Sequence, residues 1–246
     1  MEPMNQPGRR VAFFGGSFDP PHLGHMAVAR AARAALRLDT VLFVPVGAQP
    51  LKSQGATASY EDRLAMTQLA IAGEQGFEIS LADAPKLDGA PNYTLETLRQ
   101  VRTEIGPSCS LFFLMGADSF FGLRNWHRAS EIPFAADLIV ASRPGQSLED
   151  LTGALPPGLS IEPVKTPLPE PAEIEVRAFL LRNRDGQVAQ FYLLPGLDFD
   201  VSASEIRTQI RDQDPQTARH PHGTPAKRAL LARAVQEYVQ RRGLYR

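Results

Sequence analysis

Two of the chain's five histidines, His22 and His25, stand three residues apart in "FFGGSFDPPHLGHM" (13–26), just after a glycine pair. Side chains at that spacing around the first turn of a helix project side by side. Each can donate a hydrogen bond to an oxygen that carries negative charge. Glycines after a strand let the backbone turn sharply and approach a ligand closely. A helix that begins directly afterwards points its unpaired N–H groups and positive end at the same place. Together these features predict an anion site, most often for phosphate. Asp19, ahead of two prolines, is expected to fix the loop and cap backbone groups. The set suits a reaction that develops charge on phosphate oxygens with no covalent step through the protein, as phosphoryl-type transfer does. An isolated H-x-G-H would pass for ordinary helix-start residues; the long motif at a strand-to-helix junction favours chemistry. A zinc site would need a further ligand, and no cysteine or His-Glu cluster lies nearby in the sequence.

The elements that must hold this loop are legible around it. "RVAFFGG" is a short buried strand, and "LGHMAVARAARAALRL" is a helix with apolar residues every three or four positions. "TVLFVPVG" is a second strand. "SYEDRLAMTQLAIAG" is a helix with Ser59 as its cap and Gly73 as its stop. "FEISLAD", "SLFFLMGAD" and "DLIVASRPG" follow as strands, and "YTLETLRQVRTEIG" is a helix ending at Gly106. Alternation of this kind over roughly the first 145 residues predicts an α/β fold, a Rossmann-like doubly wound parallel sheet with helices on both faces. Ligands of such sheets sit at the carboxyl ends of the strands. Gly15-Gly16, Gly116 to Asp118 and Arg143 all fall at such ends. Residues 146–175, rich in proline, are expected to form a long surface connection. "VAQFYLLPG" is expected as the last strand, with "SASEIRTQIRDQ" and "PAKRALLARAVQEYVQRRG" as closing helices. In the second of these, Leu230/Leu231, Ala234/Val235 and Tyr238/Val239 recur at a spacing of four and predict one docked face. The expected organisation is one domain over 1–246, an α/β core at 9–200 and a small C-terminal helical part at 201–246.

Composition bounds the rest. The 246 residues are 43% apolar, with a formal net charge of −1. That balance argues against bulk electrostatic binding of nucleic acid or anionic lipid. The single cysteine, Cys109, lies in an apolar run and is expected in the core. It cannot form an internal disulfide, which fits a cytoplasmic setting. The polar start "MEPMNQPGRR" is unlike a signal peptide, and no apolar run approaches the ~18 residues of a membrane helix.

With these residues in view, "GGSFDPPHLGH" resembles the signature of the H-x-G-H nucleotidyltransferases. Within that superfamily the chain resembles the bacterial nicotinate-nucleotide adenylyltransferases, through "NYTLETL" (92–98), "GADSFFGLRNWHRASEI" (116–132), "LIVASRPG" (138–145), "VSASEIR" (201–207) and the terminal "RGLYR". The resemblance implies transfer of AMP from ATP to nicotinate mononucleotide, giving nicotinate adenine dinucleotide and pyrophosphate. It implies that Gly16, Ser17 and Phe18, with His22 and His25 as catalytic residues, hold the ATP phosphates. Mg2+ would ride on those phosphates, with no metal-ligating residues in the protein. Gly116 and Asp118 are implied at the ATP ribose, with a helix N-cap as the rival role for Asp118. Ser202, Ser204 and Arg207 are implied as a second phosphate clamp, with serine where the family has threonine, and Arg143 adds charge over ATP. Trp126 is implied as a platform for the pyridine ring; its neighbours "LRN-HRA" are polar, unlike those of a core tryptophan. Backbone amides near Thr94 and His127 are implied to hold the nicotinate carboxylate. Lys52 is implied at a phosphate, beside Leu51, which replaces the family's histidine. The implied partners are ATP and nicotinate mononucleotide, with no nucleic acid and no membrane, and a homo-oligomer is left open.

The alternatives separate on sequence features. A phosphopantetheine adenylyltransferase would be much shorter and leave Trp126 idle. A nicotinamide-mononucleotide enzyme would differ only in what its backbone meets on the ring. A class I synthetase fragment would need a K-M-S-K-S-like loop. A non-catalytic nucleotide sensor would not need both histidines and the distal clamp.

Overall fold

The computed structural model describes residues 8–48, 55–142, 152–164, 174–197, 202–212 and 230–246. Its centre is a sheet of eight strands among these residues: β1 (Arg10–Gly16), β2 (Thr40–Pro45), β3 (Phe77–Ile79), β4 (Ser110–Gly116), β5 (Asp137–Ala141), β6 (Ser160–Pro163), β7 (Arg177–Arg182) and β8 (Val188–Leu194). The spatial order is β3-β2-β1-β4-β5-β8-β7-β6. β1 pairs in parallel with both β2 and β4, and the parallel run continues from β4 through β5 to β8. The chain therefore winds outward in one direction from β1 and then restarts on its other side at β4. That switch opens a crevice beyond the ends of β1 and β4, where ligands of open parallel sheets bind.

Period-two alternation along the central strands divides the core between the two faces. Phe13 and Phe113 face one side, with Leu42, Val44 and Met115. Phe14, Phe43, Phe112 and Leu114 face the other. The first face is covered by α3 (Thr94–Ile105), through Leu95, Leu98, Val101 and Ile105, together with the short helices α4 (Ala117–Gly122) and α5 (Ile132–Ala135). The second is covered by α1 (Leu23–Ala35) through Met26, Ala29 and Ala32. The two alanines let the helix approach the sheet closely. α2 (Tyr60–Ile71) carries Met66 into a third cluster. That cluster also holds Ile206 of α6 (Ala203–Asp212), Val235 and Val239 of α7 (Arg233–Arg242), and Tyr245.

Helix ends follow the local signals. Ser59 Oγ accepts the Asp62 N–H at 3.1 Å and caps α2. Gly106 ends α3 at φ +83°, a conformation that favours glycine. Cys109 is buried, as expected. Among the described residues no helix is long and apolar enough to cross a membrane.

"VAQFYLLPG" is the last strand among the described residues, as expected; β7, which the sequence did not show, precedes it and pairs with it antiparallel, so the sheet is mixed. One expectation is corrected. The proline-rich 146–175 region is not wholly a surface connection. Ala154 and Leu155 are buried in the first core face, and β6 adds to the sheet edge by antiparallel pairing with β7. Residues 165–171 of its proline-rich stretch lie outside the described residues.

Candidate active site

β1 delivers the glycines as its last two residues, in extended conformation within the ladder. The sharp turn comes later, at Phe18, whose φ of +48° is left-handed. The expectation that the glycine pair makes the turn is thereby corrected. A Cβ at Gly16 would stand 3.2 Å from the Phe18 ring, so the glycine instead lets that ring fold back into the core. Phe18 is buried edge-on against Phe14 and His25. Beneath the loop lies Arg63 of α2, fully buried. It donates to the Ser17 carbonyl at 2.7 Å and to the Val46 carbonyl at 2.8 Å. Two charge-assisted bonds to carbonyls from adjacent strand ends clamp the loop from below.

The chain then enters α1. His22 is its N-cap residue and His25 lies in its first turn. Their rings lie 3.7 Å apart, centroid to centroid. His25 Nδ1 accepts the His22 N–H at 3.1 Å, which leaves the ring proton on Nε2. Burial pushes the His22 imidazole from 6.5 down to about 4. Burial, with the neighbouring His22, pushes His25 well below its ordinary value. Both rings are therefore neutral near pH 7, and each can offer one ring N–H as a hydrogen-bond donor.

The same shift carries a stability consequence. The unfolded chain binds a proton at His22 near pH 6.5, whereas the folded chain does so only near pH 4. The folded-state value is depressed, so this contribution is complete above pH 6.5 and is lost as pH falls toward about 4. At His22 alone the loss amounts to about 3 kcal/mol. Thermal melts between pH 7 and about 4.5 are expected to fall less steeply for His22→Asn than for the wild type. Parallel curves would mean that His22 titrates as an exposed imidazole.

One cleft of about 740 Å3 opens at the ends of β1 and β4. Gly16, Ser17, Phe18, His22, His25, Gly116, Asp118, Ser202, Ser204 and Arg207 all line it, as do Thr94, Trp126 and His127. These residues come from opposite ends of the chain, and the fold gathers them in one place. Lys52, Leu51 and Arg143 lie outside the described residues. Asp118 sits in the first turn of α4, but Gly116 is the N-cap, which removes the capping alternative for Asp118. A capping role falls instead to Ser202, whose Oγ accepts the Glu205 N–H at 3.2 Å while the Glu205 carboxylate accepts the Ser202 N–H at 3.1 Å. Arg207 donates to Ser204 Oγ at 3.1 Å and to the Asp19 carbonyl at 2.7 Å. Its fork is thus held at the rim by the loop that leads into α1.

Trp126 differs from its sequence reading. Its neighbours in the chain are polar, yet its ring is half-buried against the first core face, 6.2 Å from Phe113. The indole is both a packing residue and a wall of the cleft. Beside it the Tyr93 and His127 rings stack at 4.4 Å. Thr94 opens α3, and its N-cap residue Tyr93 makes no side-chain cap. The first N–H groups of a twelve-residue helix therefore take no cap from the Tyr93 side chain, and Tyr93 and Thr94 line this end of the cleft. Asp83, Asn92 and Tyr93 also line the cleft and were not singled out from the sequence. Asp83 accepts the Thr97 hydroxyl at 2.6 Å, and burial pushes its carboxyl up. Asn92 bridges two loops, accepting the Ala48 N–H at 3.2 Å and donating to the Ala84 carbonyl at 3.1 Å. The adjacency of Asn92 and Tyr93 to Thr94 was the available signal.

Residues 13–209 match the family model described as cytidylyltransferase-like. A protein of Gloeobacter violaceus, described as a probable nicotinate-nucleotide adenylyltransferase, is 34% identical over 97% of both chains. A protein of Stenotrophomonas maltophilia with the same description is 36% identical over 95% of this chain and 96% of its own. Among solved structures, the Plasmodium falciparum nicotinic acid mononucleotide adenylyltransferase complexed with NaAD aligns over 96% of this chain and 97% of its own. Its TM-score is 0.65 at 15% identity, a likeness of fold. Identity above 30% along nearly the full length, on a cytidylyltransferase-like core, establishes that this chain belongs to the nicotinate-nucleotide adenylyltransferase family.

Proposed function

We propose that the chain transfers the adenylyl group of ATP to the 5′-phosphate of nicotinate mononucleotide, releasing pyrophosphate and forming nicotinate adenine dinucleotide, a step of NAD biosynthesis. The observation that carries this reading is the cleft itself. It joins a neutral histidine pair at a helix start, the Ser202–Arg207 helix start and an aromatic wall at Trp126 in one space. An oxygen of the acceptor phosphate attacks the α-phosphorus in line, and the bond from that phosphorus to the bridging oxygen of pyrophosphate breaks. The acceptor phosphate is already ionised near pH 7, so no general base is needed. Neutral His22 and His25 fit the remaining task, donating N–H groups to phosphate oxygens as charge builds.

Charge balance supports a divalent cation. Among the described residues lining the cleft, Arg207 is the only arginine or lysine. No group of three or more His, Cys, Asp or Glu among the described residues could hold a metal. A divalent ion, Mg2+ in this reading, is carried by the ATP phosphates and neutralises part of their charge. Asp118 faces the ATP ribose, and Ser202, Ser204 and Arg207 face the distal phosphates. A cytoplasmic setting belongs to the same reading.

The acid is the preferred acceptor. The start of α3 at Thr94 offers N–H groups and a positive helix end, which favour a carboxylate over a carboxamide. Glu96, the one acidic side chain near this end on α3's first turn, has the Arg128 guanidinium at 3.9 Å to offset its charge. A carboxamide would turn an N–H donor toward a backbone donor, at roughly 1–3 kcal/mol, or about ten- to two-hundred-fold in kcat/KM. Pyrophosphate release from ATP, measured with nicotinate mononucleotide, nicotinamide mononucleotide and phosphopantetheine in turn, tests the assignment. Turnover with phosphopantetheine alone would overturn it; an excess of the amide product would overturn the acid preference.

Trp126→Ala is expected to raise the KM for the mononucleotide about five- to ten-fold, the scale of a lost ring stack. The KM for ATP should change little. Because the indole also packs against Phe113, the melting temperature should fall as well. A lower melting temperature with both KM values unchanged would make Trp126 a packing residue only.

A further inference from the structure

We propose that Tyr245, the penultimate residue, is a positioning residue for adenylyl transfer and acts through Asp19. The proposal rests on the adenylyl-transfer reading above and concerns a part of the chain outside the cleft. Tyr245 is buried in the third cluster, among Met66, Ile206, Val235 and Val239, and it is not a cleft-lining residue. Packing there asks only for the aromatic ring. The hydroxyl does something further: it donates to Asp19 Oδ1 at 2.8 Å. Tyr245 reaches it with φ at +67°, a left-handed backbone that a tyrosine holds only where the surroundings enforce it.

Asp19 is the node of the catalytic loop. It lies between Phe18, itself at φ +48°, and His22, three residues on. It is almost wholly buried. Its Oδ2 accepts the Thr57 N–H at 2.6 Å, and its Oδ1 accepts the Ala58 N–H at 3.1 Å beside the tyrosine hydroxyl. Its carbonyl accepts from Arg207. The loop is tied to the C-terminal segment a second time where the Leu23 N–H donates to the Leu230 carbonyl at 2.9 Å. The carboxylate orientation thus sets the loop that carries Ser17 and leads into His22; the tyrosine hydroxyl is the carboxylate's only side-chain hydrogen-bond donor among the described contacts, with the Arg207 guanidinium farther off, 4.0 Å from Oδ2. Without it, Oδ1 keeps one backbone donor in a buried site, and the carboxylate can turn. Small displacements of donors around a reacting phosphorus cost rate more than they cost affinity.

The test compares Tyr245→Phe, which keeps the ring, with Val239→Ala, which weakens the same cluster without touching the loop. For Tyr245→Phe, kcat is expected to fall about ten-fold, with the KM for nicotinate mononucleotide within about two-fold of wild type. Its melting temperature should fall by only a few degrees, because the ring still packs and Oδ1 keeps the Ala58 N–H. For Val239→Ala, the melting temperature should fall while kcat of the folded protein stays at the wild-type value. Wild-type kcat in Tyr245→Phe would overturn the proposal. So would a kcat loss that tracks the unfolded fraction, or a rise in mononucleotide KM at unchanged kcat. An inactive wild type would instead overturn adenylyl transfer, a result these two variants do not resemble.

Discussion

His22→Ala and His25→Ala are each expected to lower kcat by ~10²-fold or more, the scale of losing one pre-organised donor to developing charge. The two rings share the start of α1 and are both held neutral by burial. Neither ring is replaceable by the other, because each presents its own N–H from a fixed position. The variants should differ in stability. His25 Nδ1 is the acceptor for the His22 N–H, so His25→Ala also uncaps the helix start, at a cost of about 1 kcal/mol. Steady-state turnover with a melting curve on each variant checks both statements. Near wild-type turnover in a folded variant would remove that histidine from the chemistry.

Arg207→Ala is expected to raise the KM for ATP by about ten-fold or more, from the loss of charge-assisted hydrogen bonds worth ~1.5–3 kcal/mol. The KM for the mononucleotide should change much less. The structure adds an effect on kcat, because Arg207 also holds the Asp19 carbonyl and so steadies the loop ahead of His22. Arg207→Lys should not restore ATP use, since an ammonium cannot span Ser204 Oγ, the Asp19 carbonyl and a phosphate together. Separate titrations of the two substrates decide the matter. Equal rises in both KM values would mean that Arg207 acts only by shaping the loop.

The sequence by itself determined the alternation of strands and helices through β5 and the position of the histidine pair. It also determined helix ends such as Ser59 and Gly106. These signals are local: side-chain periods of two and 3.6 residues, hydroxyl caps and glycine stops act within a few positions. The resemblance carried site residues from both ends of the chain, and the tertiary structure decided which of them meet. β6 and β7 escaped notice because a four-residue edge strand, "SIEP", buries too little to show a period. Pairing with β7 defines it. The polar chain neighbours of Trp126 showed its exposed side, whereas its partial burial comes from Phe113, which is distant in sequence. Asp19 shows the division most clearly. Its place before two prolines announced a loop-fixing residue, but its partners are Thr57, Ala58, Arg207 and Tyr245. Contacts across up to 226 positions leave no periodic trace in the chain. They exist only once α2, α6 and α7 have packed into one cluster and brought the last residues of the chain against its first loop.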